Sequence, residues 1–188
     1  MQDIQNIIIS CHIDNVFDKP RATLDNRIMR GACDNLAGIL VVSNLLDIPS
    51  IRIEFPEGEE DGMQGATRVA NLIRENGNNT LVVVVDVTGV TGANINFTIE
   101  NCKRVVMADV KRVLSASGFD GKYKIVTDGA PSEAYIYGKY LPVIEIDVPC
   151  YGEMHSLDAY VKVKDILTTA RALRTICTAA LNGKIGVL

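Results

Sequence analysis

Short, nearly continuous apolar runs rich in β-branched residues alternate along this chain with longer amphipathic stretches. That alternation restricts the fold more than any other feature. A strand apolar at successive positions must be buried on both faces, and the stretches between are long enough to be the helices that bury it. The runs are Asn6 to Ser10 (NIIIS), Ile51 to Phe55 (IRIEF), Thr80 to Val85 (TLVVVV) and Val143 to Val148 (VIEIDV), with weaker ones at Ile95 to Thr98 and Tyr123 to Thr127. Helices are predicted over Asn35 to Leu46, Met63 to Glu75 and Cys102 to Ser117. A last helix carries Val163, Ile166, Leu167, Ala170, Leu173, Ile176 and Ala180 at helical spacing. Gly77, Gly118, Gly121 and the Asn182-Gly183 pair punctuate the element ends. The expected fold class is α/β, a three-layer α/β/α arrangement around a mostly parallel mixed sheet. With 188 residues, 47% of them hydrophobic, and no repeat or long linker, one domain spanning residues 1–188 is expected.

The net charge of -4 and the scattered Lys and Arg residues give no electrostatic footprint for a phosphate backbone or an anionic lipid surface. Nucleic acid and membrane are therefore excluded as expected partners. The opening MQDIQNIIIS lacks a basic n-region, and no stretch has the length of a membrane span, so a cytoplasmic location is expected. Five cysteines without CxxC spacing, Cys11, Cys33, Cys102, Cys150 and Cys177, suit reduced and buried thiols.

In open α/β sheets the ligand site lies beyond the carboxyl ends of the strands. Here NIIIS is followed by His12, IRIEF by Glu59 and Glu60, TLVVVV by Asp86, and VIEIDV, after a short loop, by His155. These are the chain's only two histidines. Asp34, in RGACDNLAG, precedes an apolar helix, where a simple N-cap is the alternative reading. Two histidines and three carboxylates form the mixed nitrogen and oxygen set that suits a pair of zinc, cobalt or manganese ions, with Asp34 as the bridge. The charges balance: Asp34, Glu60 and Asp86 with one hydroxide neutralise two divalent cations. Asp14, two residues beyond His12, could accept its other ring N–H, or be a solvated turn residue. Glu59 could serve as the base that such a site needs, or belong with PEGEED to an acidic loop opening a helix.

In order and spacing these motifs resemble the co-catalytic dizinc peptidases, especially the leucyl-type and glutamyl-type zinc aminopeptidases. The match lies in HID at His12 to Asp14, GACDNLAG at Gly31 to Gly38, EEDGMQGA at Glu59 to Ala66, Asp86, and the histidine of MHSLDAYVKVKDI. It extends over about residues 7 to 173. The resemblance implies that His12, Asp34, Glu60, Asp86 and His155 bind two metal ions, zinc first, with Asp34 bridging. It also implies that Glu59 is the general base, that Asp14 orients His12, and that a cis peptide follows Asp34. Aspartate at position 86 is similar to the aminopeptidases, where related deacylases and carboxypeptidases often carry glutamate. The implied activity is cleavage of a peptide or amide bond in a small peptide or aminoacyl substrate. Deacylation of N-acyl amino acids, or a non-catalytic metal-stabilised binding or assembly role, are the alternatives.

The sequence also departs from that family. The HxD strand begins almost at Met1, so a sheet narrower than in relatives is expected, and no lid or dimerisation domain fits between the motifs. Homo-oligomerisation stays open. GAPSEAYIYGKY resembles a substrate-proximal loop that usually carries aspartate, and here has Glu133. The acidic residue after His155 falls one place early, as Asp158.

Overall fold

The computed structural model describes residues 4–76 and 79–188. The predicted turn at Gly77 lies outside them. Nine strands and five helices follow in order among the described residues. They are β1 (Asn6–Ser10), β2 (Ala22–Leu24), β3 (Ile28–Gly31), α1 (Cys33–Val42), β4 (Ile51–Glu54), α2 (Gln64–Asn76), β5 (Thr80–Thr88), β6 (Phe97–Lys103), α3 (Met107–Ala116), β7 (Tyr123–Ile125), α4 (Glu133–Tyr137), β8 (Val143–Tyr151), β9 (Tyr160–Lys162) and α5 (Val163–Leu181).

The parallel centre is β4-β1-β5-β8, and all four strands are runs that the sequence marks out. Beyond it, β6 lies antiparallel on β8 and carries β7, while the far end of β8 pairs with β9, then β3 and β2, all antiparallel. The fold is thus the expected α/β type with a mixed sheet. It has nine strands where the sequence pattern marks six, because β2, β3 and β9 are three or four residues long and β2 is fully exposed. Such edge strands carry no long apolar run to betray them.

Strand alternation sorts the side chains onto two faces. Ile7, Ile9, Leu81, Val83, Val85, Phe97, Ile99, Ile144 and Ile146 join one large core with residues of α1, α3 and α5. Ile8, Val82, Val84 and Val143 join a smaller one with Ala66, Ala70 and Ile73 of α2 and Ala134 and Tyr137 of α4. These are the two covering layers. One boundary differs from expectation: the helix predicted from Cys102 starts at Met107. Residues 101 to 103 continue β6 instead, and the left-handed Arg104 (φ 56°) turns the chain before the helix begins. No helix among the described residues is long and apolar enough to cross a membrane.

Cys11, Cys33, Cys150 and Cys177 are buried as expected, and Cys102 is partly buried. Burial pushes the thiols of Cys102 and Cys177 up to about 12, which keeps them protonated and inert.

Candidate metal centre

The seven residues singled out in the sequence meet at the carboxyl ends of the parallel strands. His12 follows β1, Glu59 and Glu60 lie in the loop after β4, and His155 in the loop after β8. Asp86 differs slightly from expectation, since β5 runs on to Thr88 and Asp86 lies within it rather than after it. With Val85 and Val87 facing the larger core, Asp86 faces the opposite side, as His12 does by continuing the parity of Ile8 and Ser10.

Asp34 owes its freedom to its neighbour. The bond from Asp34 to Asn35 is cis, as the resemblance implies, and both residues have non-helical dihedrals, so the regular turns of α1 begin after them. Asn35 Oδ1 accepts the Gly38 N–H at 3.0 Å, and its Nδ2 donates to the Val85 carbonyl at 2.8 Å. The cap is therefore Asn35, tied at once to β5, and the simple N-cap reading of Asp34 is corrected. Gly38 is required here, because a Cβ would lie 2.1 Å from Asn35 Oδ1 and 2.9 Å from Cys11 Sγ.

Asp34 offers one carboxylate oxygen to each side. Its Oδ1 lies 3.1 Å from His12 Nε2, which is 3.4 Å from Asp86 Oδ1. Its Oδ2 lies 3.4 Å from His155 Nε2, which is 3.6 Å from Glu60 Oε2. Each triplet, His12 with Asp34 and Asp86, and Asp34 with Glu60 and His155, has its donor atoms within 4.8 Å of one another. Among the described residues, buried His12 Nδ1, Asp34 Oδ1 and Glu60 Oε1 have no hydrogen-bonding partner. Unsatisfied buried donors and acceptors are costly, and a mixed imidazole and carboxylate set is the one that zinc-like cations satisfy. The residues thus fit two divalent ions.

Asp14 does more than the sequence suggests. Its Oδ1 is 3.5 Å from His12 Nδ1, too long for a hydrogen bond, while its two oxygens accept the Glu59 and Glu60 N–H groups at 3.2 and 3.1 Å. It fastens the acidic loop to the histidine strand.

The electrostatics follow from crowding. Burial lowers the His12 pKa, but contact with Asp34 and Asp86 outweighs it and pushes the imidazole up to about 12. A cation entering between them must displace that proton. Burial, then the charge of Asp86, raises Glu59 from 4.5 to about 7. Burial and Asp34 raise Glu60 in the same direction.

A cavity of about 490 Å³ opens beside these groups, lined by Asp34, Glu59, Glu60, Asp86 and His155. Its far wall holds Glu100, Glu145 and Asp147, which the sequence reading passed over. They occupy alternate positions in FTIEN and VIEIDV, and that period of two is the signal that could have found them. Glu133 is not part of that lining. Its carboxylate accepts from Ser10 Oγ at 2.9 Å, beside Tyr137, under α4 on the same side of the sheet. Asp158 is exposed and contributes its carbonyl to Arg30.

The fold is shared with solved aminopeptidases. The chain is similar to the PepT aminopeptidase of Bacillus cereus ATCC 10987 (TM-score 0.68, 13% identity, covering 94% of this chain and 81% of that one). It is also similar to a TET aminopeptidase from the marine sediment archaeon Thaumarchaeota archaeon SCGC AB-539-E09 (0.67, 14%, 88% and 54%). A third is the TET1 peptidase of Pyrococcus horikoshii, which can assemble into a tetrahedron or a large octahedral shell (0.65, 15%, 84% and 52%). The chain spans about half the length of these TET structures. Its sequence matches Peptidase family M28 over residues 2–132, and the chain belongs to that family. No curated protein matches it by sequence.

Proposed function

We propose that this chain is a two-metal hydrolase, with zinc the first candidate and cobalt or manganese the alternatives, that removes the amino-terminal residue from small peptides. The observation that carries this reading is the Asp34 carboxylate, one oxygen turned to each of two donor triplets. His12, Asp34 and Asp86 would hold one ion, and Asp34, Glu60 and His155 the other. Bound there, the two cations supply Lewis acidity toward the scissile carbonyl and lower the pKa of the attacking water.

The chain's own residues do the rest. Glu59, with a carboxyl near 7, takes the proton from that water and returns it to the leaving amine. Asp14 holds the Glu59 backbone in place through its N–H. A free amine is favoured over an acylated one, because among the described residues no Lys or Arg lines the cavity to meet a substrate carboxylate. That argues against the deacylase alternative.

The test combines metal analysis with paired substrates. About two zinc ions per chain and release of aniline from aminoacyl anilides are expected. Hydrolysis of N-acyl amino acids alone would reject the aminopeptidase reading, and retention of metal with no hydrolysis of either class would favour the binding or assembly role. Self-association and a cytoplasmic location belong to the same proposal. Light scattering on the purified chain tests the first.

A further inference from the structure

The far wall of the cavity has no role in the reaction just described, yet it holds three buried carboxyls. Glu145 and Asp147 are 2% exposed and Glu100 5%. Among the described residues their side-chain hydrogen-bond partners are neutral. Asn101 Nδ2 donates to Glu145 Oε2 at 2.5 Å, and Thr98 Oγ1 lies 2.7 Å from Glu100 Oε1 and 3.4 Å from Asp147 Oδ2. Asp147 Oδ1 is buried with no hydrogen-bond partner among the described residues. Burying carboxylates without a cation is expensive, and among the described residues no lysine or arginine lines their cavity. The wall thus holds three buried carboxyls with no counter-charge among the described residues that line the cavity.

A metal ion fits this wall poorly. Among the described residues the two triplets at Asp34 bring their donor atoms within 4.8 Å, and Glu100, Glu145 and Asp147 form no such group. Spread acceptors suit a larger, multidentate cation. The register sets the distance: Asp147 is the β8 partner of Asp86, and Thr98 and Glu100 on β6 are the partners of Asp147 and Glu145. At about 5 Å per strand, the wall lies one to two strand spacings from Asp86, a reach that a lysine or arginine side chain covers. Gly129 keeps the opposite loop clear, since a Cβ there would lie 2.5 Å from Glu100 Oε2.

We propose that Glu100, Glu145 and Asp147 form a subsite for a long basic side chain, so that the preferred substrates are peptides beginning with lysine or arginine. This rests on the aminopeptidase reading, which puts the first side chain of the substrate in that cavity. Burial raises Glu145 to about 8 and Asp147 well above its ordinary value, as expected of acids that lack a counter-charge.

Calorimetric titration of the zinc-loaded protein with L-lysinamide and L-norleucinamide tests the subsite without requiring turnover. The two ligands share the free amine and the alkyl chain, and only the first carries the terminal ammonium. Lysinamide should bind at least about tenfold tighter. Asp147→Asn and, separately, Glu145→Gln should each shrink that ratio; both are isosteric, and the wild-type ratio decides if either fails to fold. Equal affinities would overturn the proposal. So would a third zinc ion per chain that disappears in Asp147→Asn, because the wall would then be an inorganic cation site. Failure to hydrolyse any aminoacyl anilide rejects the peptidase reading separately, and the binding ratio is still read.

Discussion

The two faces of the sheet are built from the same strands and do opposite work. On β8, Ile144, Ile146 and Val148 enter the core beneath α1, α3 and α5, while Glu145 and Asp147 between them face the cavity. On β5, Val83, Val85 and Val87 go one way and Asp86 the other. On β6, Phe97 and Ile99 are core, and Glu100 lines the cavity. Toward the carboxyl ends of the strands, stability and chemistry are thus separated by parity, while nearer their starts Ile8, Val82, Val84 and Val143 pack the cavity-side face against α2 and α4. A register slip of one residue would bury the carboxylates in hydrocarbon and turn the isoleucines to the cavity. The hydrocarbon face fixes the register that the polar face needs.

Substitutions on the two sides should therefore give opposite signatures. The largest effect is expected on the chemical side, with Glu59→Gln. As the proton carrier, its loss should lower kcat by about 10²- to 10⁴-fold while zinc content and thermal stability stay put. Turnover that survives the change would remove Glu59 from the mechanism. On the hydrocarbon side, Ile146→Ala should cost about 2 to 5 kcal/mol in a urea melt, as buried Ile to Ala changes do. Its folded fraction should retain full zinc content. If that variant instead loses metal without losing stability, the two faces are not independent and the separation fails.

Gly38→Ala probes the point where they join. The added Cβ meets Asn35 Oδ1 and Cys11 Sγ, so it should cost about 1 to 3 kcal/mol by overpacking. Because Asn35 also fixes the turn that presents Asp34, zinc affinity should fall as well. A loss of stability with unchanged affinity would mean that the cap and the carboxylate are uncoupled.

This parity explains what was legible beforehand. The four central strands were visible because they are apolar on consecutive residues, and six of the seven singled-out residues because they stand at or near the ends of those runs. The acids at 145 and 147 were hidden by the same reasoning, since VIEIDV reads as one apolar run unless its alternate positions are separated. Asp34 was ambiguous between cap and ligand for a local reason. The competing capper, Asn35, is its neighbour, and only the three-dimensional turn shows which carboxamide or carboxylate reaches Gly38. The loop position of Glu133 gave no hint that its carboxyl is buried against Ser10, a contact between residues 123 positions apart.

That buried Glu133 provides an effect spread over several pH units, and a pH test of the polar face. Burial raises its carboxyl from 4.5 to about 8, with the Ser10 hydroxyl opposing. Between those values the folded chain holds a proton that the unfolded chain has already released. The stabilisation is complete below pH 4.5 and is lost as the pH rises toward 8, at about 1 kcal/mol per pH unit for one such group. Glu145, also raised to about 8, contributes a second slope of the same sign. In chelator-treated protein, urea melts from pH 5 to 8 should show falling stability, and Glu133→Gln should remove about half of the fall due to this pair. The amide cannot ionise and can still accept from Ser10, so the contact survives while the titration does not. A slope unchanged by Glu133→Gln would move the titration to other carboxyls on that face. A slope equally reduced by Ile146→Ala would show that it reports packing rather than charge.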